Sequence, residues 1–162
     1  MRRLHVRFTL ALLAAAFLAL FSASRATSAE GDIAVVVHPG VPVNTLTFAE
    51  VRKLLFGDRQ YWGPDLRVTL VMRAPAARER EIVLRTVYQM TEAQFRQYWI
   101  SKVFRAEAAS GPRIVYSSEE ATGLVGALPG SISFIDATQV PKGLKILRVD
   151  GHLPGEPGYK LH

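Results

Sequence analysis

The sequence predicts an α/β fold with a mixed, mostly parallel sheet. Short apolar segments rich in β-branched residues alternate with segments whose apolar residues recur every three or four positions, in the order β-α-β-α-α-β-α-β-β. This alternation is typical of a layer of strands covered by helices. Of the 162 residues, 49% are hydrophobic, which is enough for one core in a chain of single-domain length.

Residues 33–72 are predicted to form a strand, a helix and a second strand. Residues 33–37 read IAVVV, a continuous apolar run of the kind found in buried strands. Thr47 and Glu50 have the spacing of a capping box, and apolar residues at helical spacing follow, so we expect a helix over residues 48–56. Residues 66–72 alternate in part and predict a second strand.

The second half continues the alternation between helical and extended patterns. Thr91 and Gln94 repeat the capping-box spacing, and Ser117 precedes another helix start. The predicted helices cover 76–90, a segment that begins at 91, and 119–127, and the predicted strands cover 114–116, 132–135 and 144–149.

Residues 1–29 have the pattern of a cleaved secretory signal peptide. Three arginines come first, residues 8–21 form an apolar run of fourteen, and small residues lie before Glu30. This is the order of a secretory leader, and the run is shorter than the roughly 20 residues of a comfortable bilayer span. We therefore expect a periplasmic or secreted domain over residues 30–150. An uncleaved membrane anchor is the alternative. Residues 151–162 contain two prolines and three glycines and predict a flexible tail.

Charge and motifs exclude several function classes. Four of the 20 basic residues lie in the leader, which leaves 16 against 14 acidic residues, so no nucleic-acid partner is expected. The absence of cysteine excludes disulfides and thiolate chemistry. The sequence has no HExxH, GxSxG, Walker A or GxGxxG pattern, so we expect no metal, no cofactor and no enzymatic activity.

Several segments, taken in order, resemble a known family. They are Val37-His38-Pro39, Leu46-Thr47, Arg52 to Gly57, Trp62, Arg73 and Pro129-Gly130-Ser131-Ile132-Ser133-Phe134. In this order, over residues 33–149, they resemble the second lobe of the phosphate-binding proteins that serve ABC importers. The resemblance implies a three-layer single lobe of a type 2 periplasmic-binding-protein-like fold. It also implies a non-catalytic role, with phosphate or another small oxyanion as ligand and an ABC permease as partner.

The resemblance places the ligand site at the turn after Arg73. The family motif there is Arg-x-Asp/Ser-Gly-Ser-Gly-Thr, whose glycines and hydroxyls bring N–H and O–H donors to the anion at a helix N-terminus. By this resemblance, the candidate anion-binding residues are Arg73, Ala76, Ala77, Arg78, Ser117 and Ser118. Both glycines and both hydroxyls of the motif are replaced here, and Glu79 adds a negative charge. The sequence therefore predicts that anion binding is weak or lost.

Each candidate also has a structural interpretation. Arg73 can pair with Glu79 or Asp65, while Arg78 and Arg80 can be solvated. Ser117 and Ser118 can cap a helix. We expect the aromatic residues Tyr61, Trp62, Tyr98 and Trp99 to pack in the core or anchor loops rather than form a stacking platform. The alternative function is a protein-interaction or self-association module that uses the lobe face normally covered by its mate.

Overall fold

The computed structural model describes residues 31–162. The signal peptide predicted for residues 1–29 lies outside them. The strands are β1 (Ile33–Val37), β2 (Thr45–Leu46), β3 (Thr69–Arg73), β4 (Arg113–Val115), β5 (Ser131–Asp136), β6 (Lys145–Ile146) and β7 (Arg148–Val149). The helices are α1 (Phe48–Leu55), α2 (Arg78–Val83), α3 (Glu92–Phe104) and α4 (Ser118–Ala127), with a π-helix at Leu84–Tyr88 and a 3-10 helix at Ala137–Gln139.

A mixed five-stranded sheet in the order β4-β3-β5-β1-β6 forms the centre of the fold. Strand β3 is parallel to both β4 and β5, whereas β1 is antiparallel to β5 and β6. Strands β2 and β7 form a separate parallel pair. Three of these five pairings are therefore parallel. The predicted α/β class with a mixed, mostly parallel sheet is confirmed.

The two faces of the sheet carry separate apolar clusters, and helices cover both. Strand β1 shows the division, because Val35 faces the larger cluster and Val36 the smaller one. Helices α1, α2 and α3 bury apolar residues in the larger cluster, and α4 contributes Ala121 and Val125 to the smaller. All five residues of β1 are fully buried, as expected for a strand covered on both faces. The fold is thus a helix–sheet–helix arrangement of three layers.

The predicted helix starts are confirmed by their capping contacts. The Thr47 side chain accepts a hydrogen bond from the Glu50 backbone N–H, and the Glu50 side chain accepts one from the Thr47 backbone. Thr91 and Gln94 make the same reciprocal pair at α3. These contacts satisfy N–H groups that have no partner within a helix, and they depend on neighbours in sequence.

The helix predicted over residues 76–90 is wrong in its bounds. The α-helical part covers only Arg78–Val83, and the chain continues as the π-helix Leu84–Tyr88 until Gln89, whose φ is 55°. Arg52 of α1 donates to the Val87 carbonyl. A side chain from another helix therefore partners a carbonyl in the widened turn, which periodicity cannot reveal.

The strand predicted over residues 144–149 is divided between two sheets. Ile146 pairs with Val36 at the edge of the main sheet, whereas Val149 pairs with Leu46 of β2. Leu147, between the two strands, is fully buried and donates its N–H to the Val35 carbonyl. One alternating segment therefore contributes a strand to each of the two sheets.

The expectation of a flexible tail over residues 151–162 is wrong for its last part. Tyr159 and Leu161 are 5% and 0% exposed and belong to the larger core cluster. The Tyr159 hydroxyl donates to the Ile33 carbonyl at 2.6 Å, and the Ile33 N–H donates to the Leu161 carbonyl at 2.7 Å. Two buried side chains and two hydrogen bonds to Ile33 thus hold this segment beside β1. No helix within residues 31–162 is long and apolar enough to cross a bilayer.

Candidate functional site

Arg73 lies at the carboxyl end of β3, the edge at which the resemblance places an anion. Its Nη1 donates to Glu79 Oε1 at 3.1 Å and to Ser118 Oγ at 2.6 Å. Its Nη2 donates to the Tyr116 carbonyl at 3.4 Å. The Arg73 Nε is buried without a hydrogen-bond partner among the described residues. The two Nη atoms thus donate to groups of the protein itself.

The carboxylate of Glu79 and the guanidinium of Arg73 form an ion pair that is largely shielded from solvent. The two side chains are only 14% and 9% exposed. A charge at such burial needs a partner of opposite sign, since isolated burial is costly. The gap between Met72, Arg73, Glu79, Arg80, Val83 and Phe134 does not admit a water molecule. Of the two predicted partners of Arg73, Glu79 is the one that pairs with it, and the surrounding side chains leave no room for a water molecule beside the pair.

The two candidate serines have different roles. The Ser117 side chain accepts a hydrogen bond from the Glu120 N–H at 3.0 Å and caps α4. The Ser118 hydroxyl accepts from Arg73 and lies 3.5 Å from Glu79 Oε1, to which it donates. The pKa of the nearby Glu119 carboxyl is lowered because it accepts hydrogen bonds from its own backbone and from Ser117, and because Arg73 is positive. Ser118 therefore joins the Arg73–Glu79 pair, and Ser117 stabilises the helix start.

The turn between β3 and α2 differs from a backbone cradle for an anion. Ala76 has a φ of 68°, a left-handed conformation that costs energy for any residue with a Cβ. Ala77 is the N-cap of α2 and has no side-chain acceptor for the first-turn N–H groups. Its own N–H donates to the Ala74 carbonyl at 3.2 Å. The structure brings this turn next to Arg73, but it supplies no hydroxyl.

Arg78 is directed away from Arg73. Its Nη1 lies 3.2 Å from Asp136 Oδ2, and its Nη2 donates to the Gly31 carbonyl at 2.5 Å. The side chain is 48% exposed. Arg78 thus joins α2 to the end of β5 and to the chain before β1, a connection to distant residues that the local sequence does not indicate.

The structure adds a second ion pair that sequence reasoning missed. Arg80, expected to be solvated, is 3% exposed, and it donates to both Glu92 oxygens at 2.9 and 2.6 Å. Its Nη1 also donates to the Arg73 carbonyl at 3.0 Å, and its guanidinium lies 4.7 Å from the centre of the Phe95 ring. The Arg80 hydrogen bonds lower the pKa of the Glu92 carboxyl. Arg80 therefore connects the end of β3 to the start of α3.

The remaining candidates do not form a ligand platform beside Arg73. Trp62 and Trp99 are buried, and the Trp62 indole N–H donates to the Gly130 carbonyl at 2.8 Å. The Tyr98 hydroxyl donates to the Phe56 carbonyl at 2.8 Å. Tyr61 is 51% exposed and departs from the expected packing. Within residues 31–162 there is no group of three or more metal-ligating side chains.

Comparison with known proteins gives a likeness in fold. No protein-family model matches the sequence. No curated protein matches it significantly. Solved structures do match. A putative phosphate ABC transporter substrate-binding protein from Clostridium perfringens, solved with bound phosphate, superimposes with a TM-score of 0.61 at 20% identity, covering 76% of this chain and 46% of its own.

Two further solved structures give the same result. An ABC-type phosphate transport receptor from Vibrio cholerae has a TM-score of 0.61 at 19% identity, with 76% of this chain and 48% of the receptor covered. PstS from Borrelia burgdorferi has a TM-score of 0.58 at 20% identity, with 76% and 49% covered. The fold is that of one lobe of these binding proteins, and the chain spans about half of their length.

Proposed function

We propose that this protein is a non-catalytic, extracytoplasmic binding-protein-like domain related to the phosphate-binding components of ABC importers, in which oxyanion binding at Arg73 is weak or lost. The observation that supports this proposal is the ion pair in which Glu79 Oε1 lies 3.1 Å from Arg73 Nη1. A carboxylate and a phosphate both present charged oxygens to a guanidinium, so the two compete for the same donors. The protein thus carries its own anion where the related proteins would bind a free one.

The cost of opening the ion pair sets the expected affinity. An incoming anion at Arg73 must displace Glu79 and leave its carboxylate buried without a partner. Breaking a buried pair in this way costs about 3–5 kcal/mol. At about 1.4 kcal/mol for each factor of ten, this lowers affinity by two to three and a half orders of magnitude, roughly. Phosphate or sulfate binding then falls outside the range useful for capture.

Titration calorimetry with phosphate and sulfate tests this proposal on three purified proteins. We expect no heat of binding to the wild type up to millimolar anion. Glu79→Ala removes the competing carboxylate and vacates its space, so we expect this variant to gain binding. Glu81→Ala, an exposed glutamate on the same helix, is the control for the charge change. Micromolar phosphate binding by the wild type that disappears in Arg73→Gln would overturn the proposal. Should Glu79→Ala fail to fold, Glu79→Ser serves in its place, because its short side chain also removes the carboxylate and vacates its space.

The proposed location rests on the leader pattern of residues 1–29. Export would place the domain in the periplasm or outside the cell, where an ABC permease is the expected partner class. Mass spectrometry of the exported protein tests the location. A new N-terminus at Glu30 supports it, and an intact Met1 supports the membrane-anchored alternative.

A second candidate function, self-association, is favoured by an exposed apolar stripe on α3. Ile100, Val103 and Phe104 are 63%, 39% and 90% exposed, and their spacing places them on one side of the helix. Exposed apolar residues grouped in this way are typical of interaction surfaces. Sedimentation velocity distinguishes the two functions. A dimer that is lost in Phe104→Ser supports the interaction module, and a monomer at high concentration contradicts it.

A further inference from the structure

A cleft of about 250 Å³ lies at the opposite end of β3 from Arg73. Thr69 and Leu70, the first residues of β3, line it, as does Arg113, the first residue of β4. Strands rise about 3.3 Å per residue, so this end of β3 is about 13 Å from Arg73. The cleft is therefore separate from the site at which the resemblance places an anion.

The cleft combines positive charge with an absence of acidic residues. Its lining, within the described part of the chain, includes Arg59, Arg67 and Arg113 but no aspartate or glutamate. Arg59 is held in place, because it donates to the carbonyls of Tyr61 and Trp62 at 3.2 and 3.3 Å and its Nη1 lies 4.0 Å from Glu50 Oε1 outside the lining. Among residues 31–162, no carboxylate lies within 4.0 Å of the Arg67 or Arg113 guanidinium. Arg67 and Arg113 thus differ from Arg73, whose guanidinium is already paired with the buried Glu79 carboxylate.

Buried core residues form part of the inner wall of the cleft. Four of its lining residues are buried in the main core: Leu54, Leu70, Trp99 and Ala108. The segment over residues 108–113 forms another side, and the Gln60 side chain donates to the Glu107 carbonyl at 2.7 Å, which fixes the start of that segment. An indole with aliphatic neighbours provides a surface for an apolar body, and aromatic faces also favour ring contacts.

We propose that this cleft binds a small organic anion, with a carboxylate or phosphate group toward the arginines and an apolar ring against Trp99. The volume is just below the range of about 300–1,000 Å³ typical of pockets for drug-sized ligands, which suits a molecule with a single ring. Guanidinium groups recognise carboxylate and phosphate oxygens by paired hydrogen bonds. This inference does not depend on the proposed function at Arg73, because the two sites share no residue.

The test uses the purified protein with three probes, benzoate, phenyl phosphate and the neutral benzyl alcohol. Binding is followed by calorimetry and by the backbone amide shifts of residues 108–111 and of Arg113. We expect one or both anions to bind and the alcohol not to bind. Arg67→Gln is expected to weaken anion binding tenfold or more, because a hydrogen bond to a charged group is lost. Arg96→Gln removes an exposed positive charge outside the cleft and is the matched control.

A second variant fills the cleft and leaves its charge unchanged. Gly111 lines the cleft, and a Cβ at this position would meet only the Trp99 Cβ, at 3.9 Å, so Gly111→Leu is chosen to place a side chain at the cleft wall. We expect this variant to lose binding while its thermal unfolding remains cooperative. The proposal is overturned if neither anion binds at millimolar concentration, if benzyl alcohol binds equally well, or if inorganic phosphate reproduces the binding of phenyl phosphate. Unchanged binding in Gly111→Leu would likewise place the ligand elsewhere.

Discussion

The replacement Glu79→Gln gives the sharpest prediction about stability. It removes the negative charge and keeps the shape and one acceptor oxygen. In the wild type, Arg73 and Glu79 are 14% and 9% exposed, so solvent screens their interaction little. Leaving a buried cation without its counter-charge costs about 3–5 kcal/mol. The remaining amide oxygen and the Ser118 hydroxyl still accept from Arg73, and we therefore expect a loss of about 2–3 kcal/mol.

Urea unfolding followed by circular dichroism measures this loss. Glu81→Gln is the control, since an exposed glutamate on the same helix should change the free energy of unfolding by less than about 0.5 kcal/mol. A double variant, Arg73→Met with Glu79→Leu, should lose less than Glu79→Gln, because it leaves no unpaired buried charge. A change below about 0.5 kcal/mol in Glu79→Gln would refute the reasoning, as the pair would then contribute nothing measurable.

Three further predictions concern the C-terminal segment, the Arg80–Glu92 pair and the cap of α4. Leu161→Ala should lower the free energy of unfolding by about 2–5 kcal/mol, measured by urea unfolding, because the side chain is fully buried; a loss below about 1 kcal/mol contradicts the packing of the C-terminal segment. Hydrogen bonds from Arg80 lower the pKa of Glu92 from its usual value of 4.5, so the wild type should lose stability as pH falls through that lowered pKa. In Glu92→Gln, the midpoint temperature of thermal unfolding should depend less steeply on pH between about pH 6 and pH 3. Equal pH dependence in the two proteins would contradict this prediction. Ser117→Ala should cost about 1 kcal/mol in thermal unfolding through loss of the cap on Glu120, and no loss would contradict the capping role.

The parts of the fold predicted correctly depend on local pattern. The run at β1 is apolar throughout and is buried on both faces. The helix starts at Thr47 and Thr91 follow from pairs of residues three apart, whose contacts are decided within one turn. Such features are set by neighbours in sequence, so periodicity and capping rules suffice.

The errors arise where distant residues decide the outcome. The π-helix contains Val87, whose carbonyl accepts from Arg52, 35 positions earlier. Leu161 packs in the core although its segment has the composition of a loop. Both outcomes depend on tertiary contacts that override local preference.

Of the two ion pairs at the candidate site, only one could be predicted from the sequence. The Arg73–Glu79 pair joins residues six apart at a strand end and a helix start, and the sequence presents it as one of two pairings for Arg73. The Arg80–Glu92 pair joins two different helices, and nothing in the spacing selects it. The cleft beside Arg67 was missed for the same reason, because its walls come from separate elements.

A crystal structure of the purified protein grown in high phosphate tests the central claim most directly. The account predicts that the Glu79 carboxylate remains within hydrogen-bonding distance of Arg73 Nη1 and that no phosphate lies beside that guanidinium. A phosphate oxygen on Arg73, with Glu79 turned away into solvent, would contradict it.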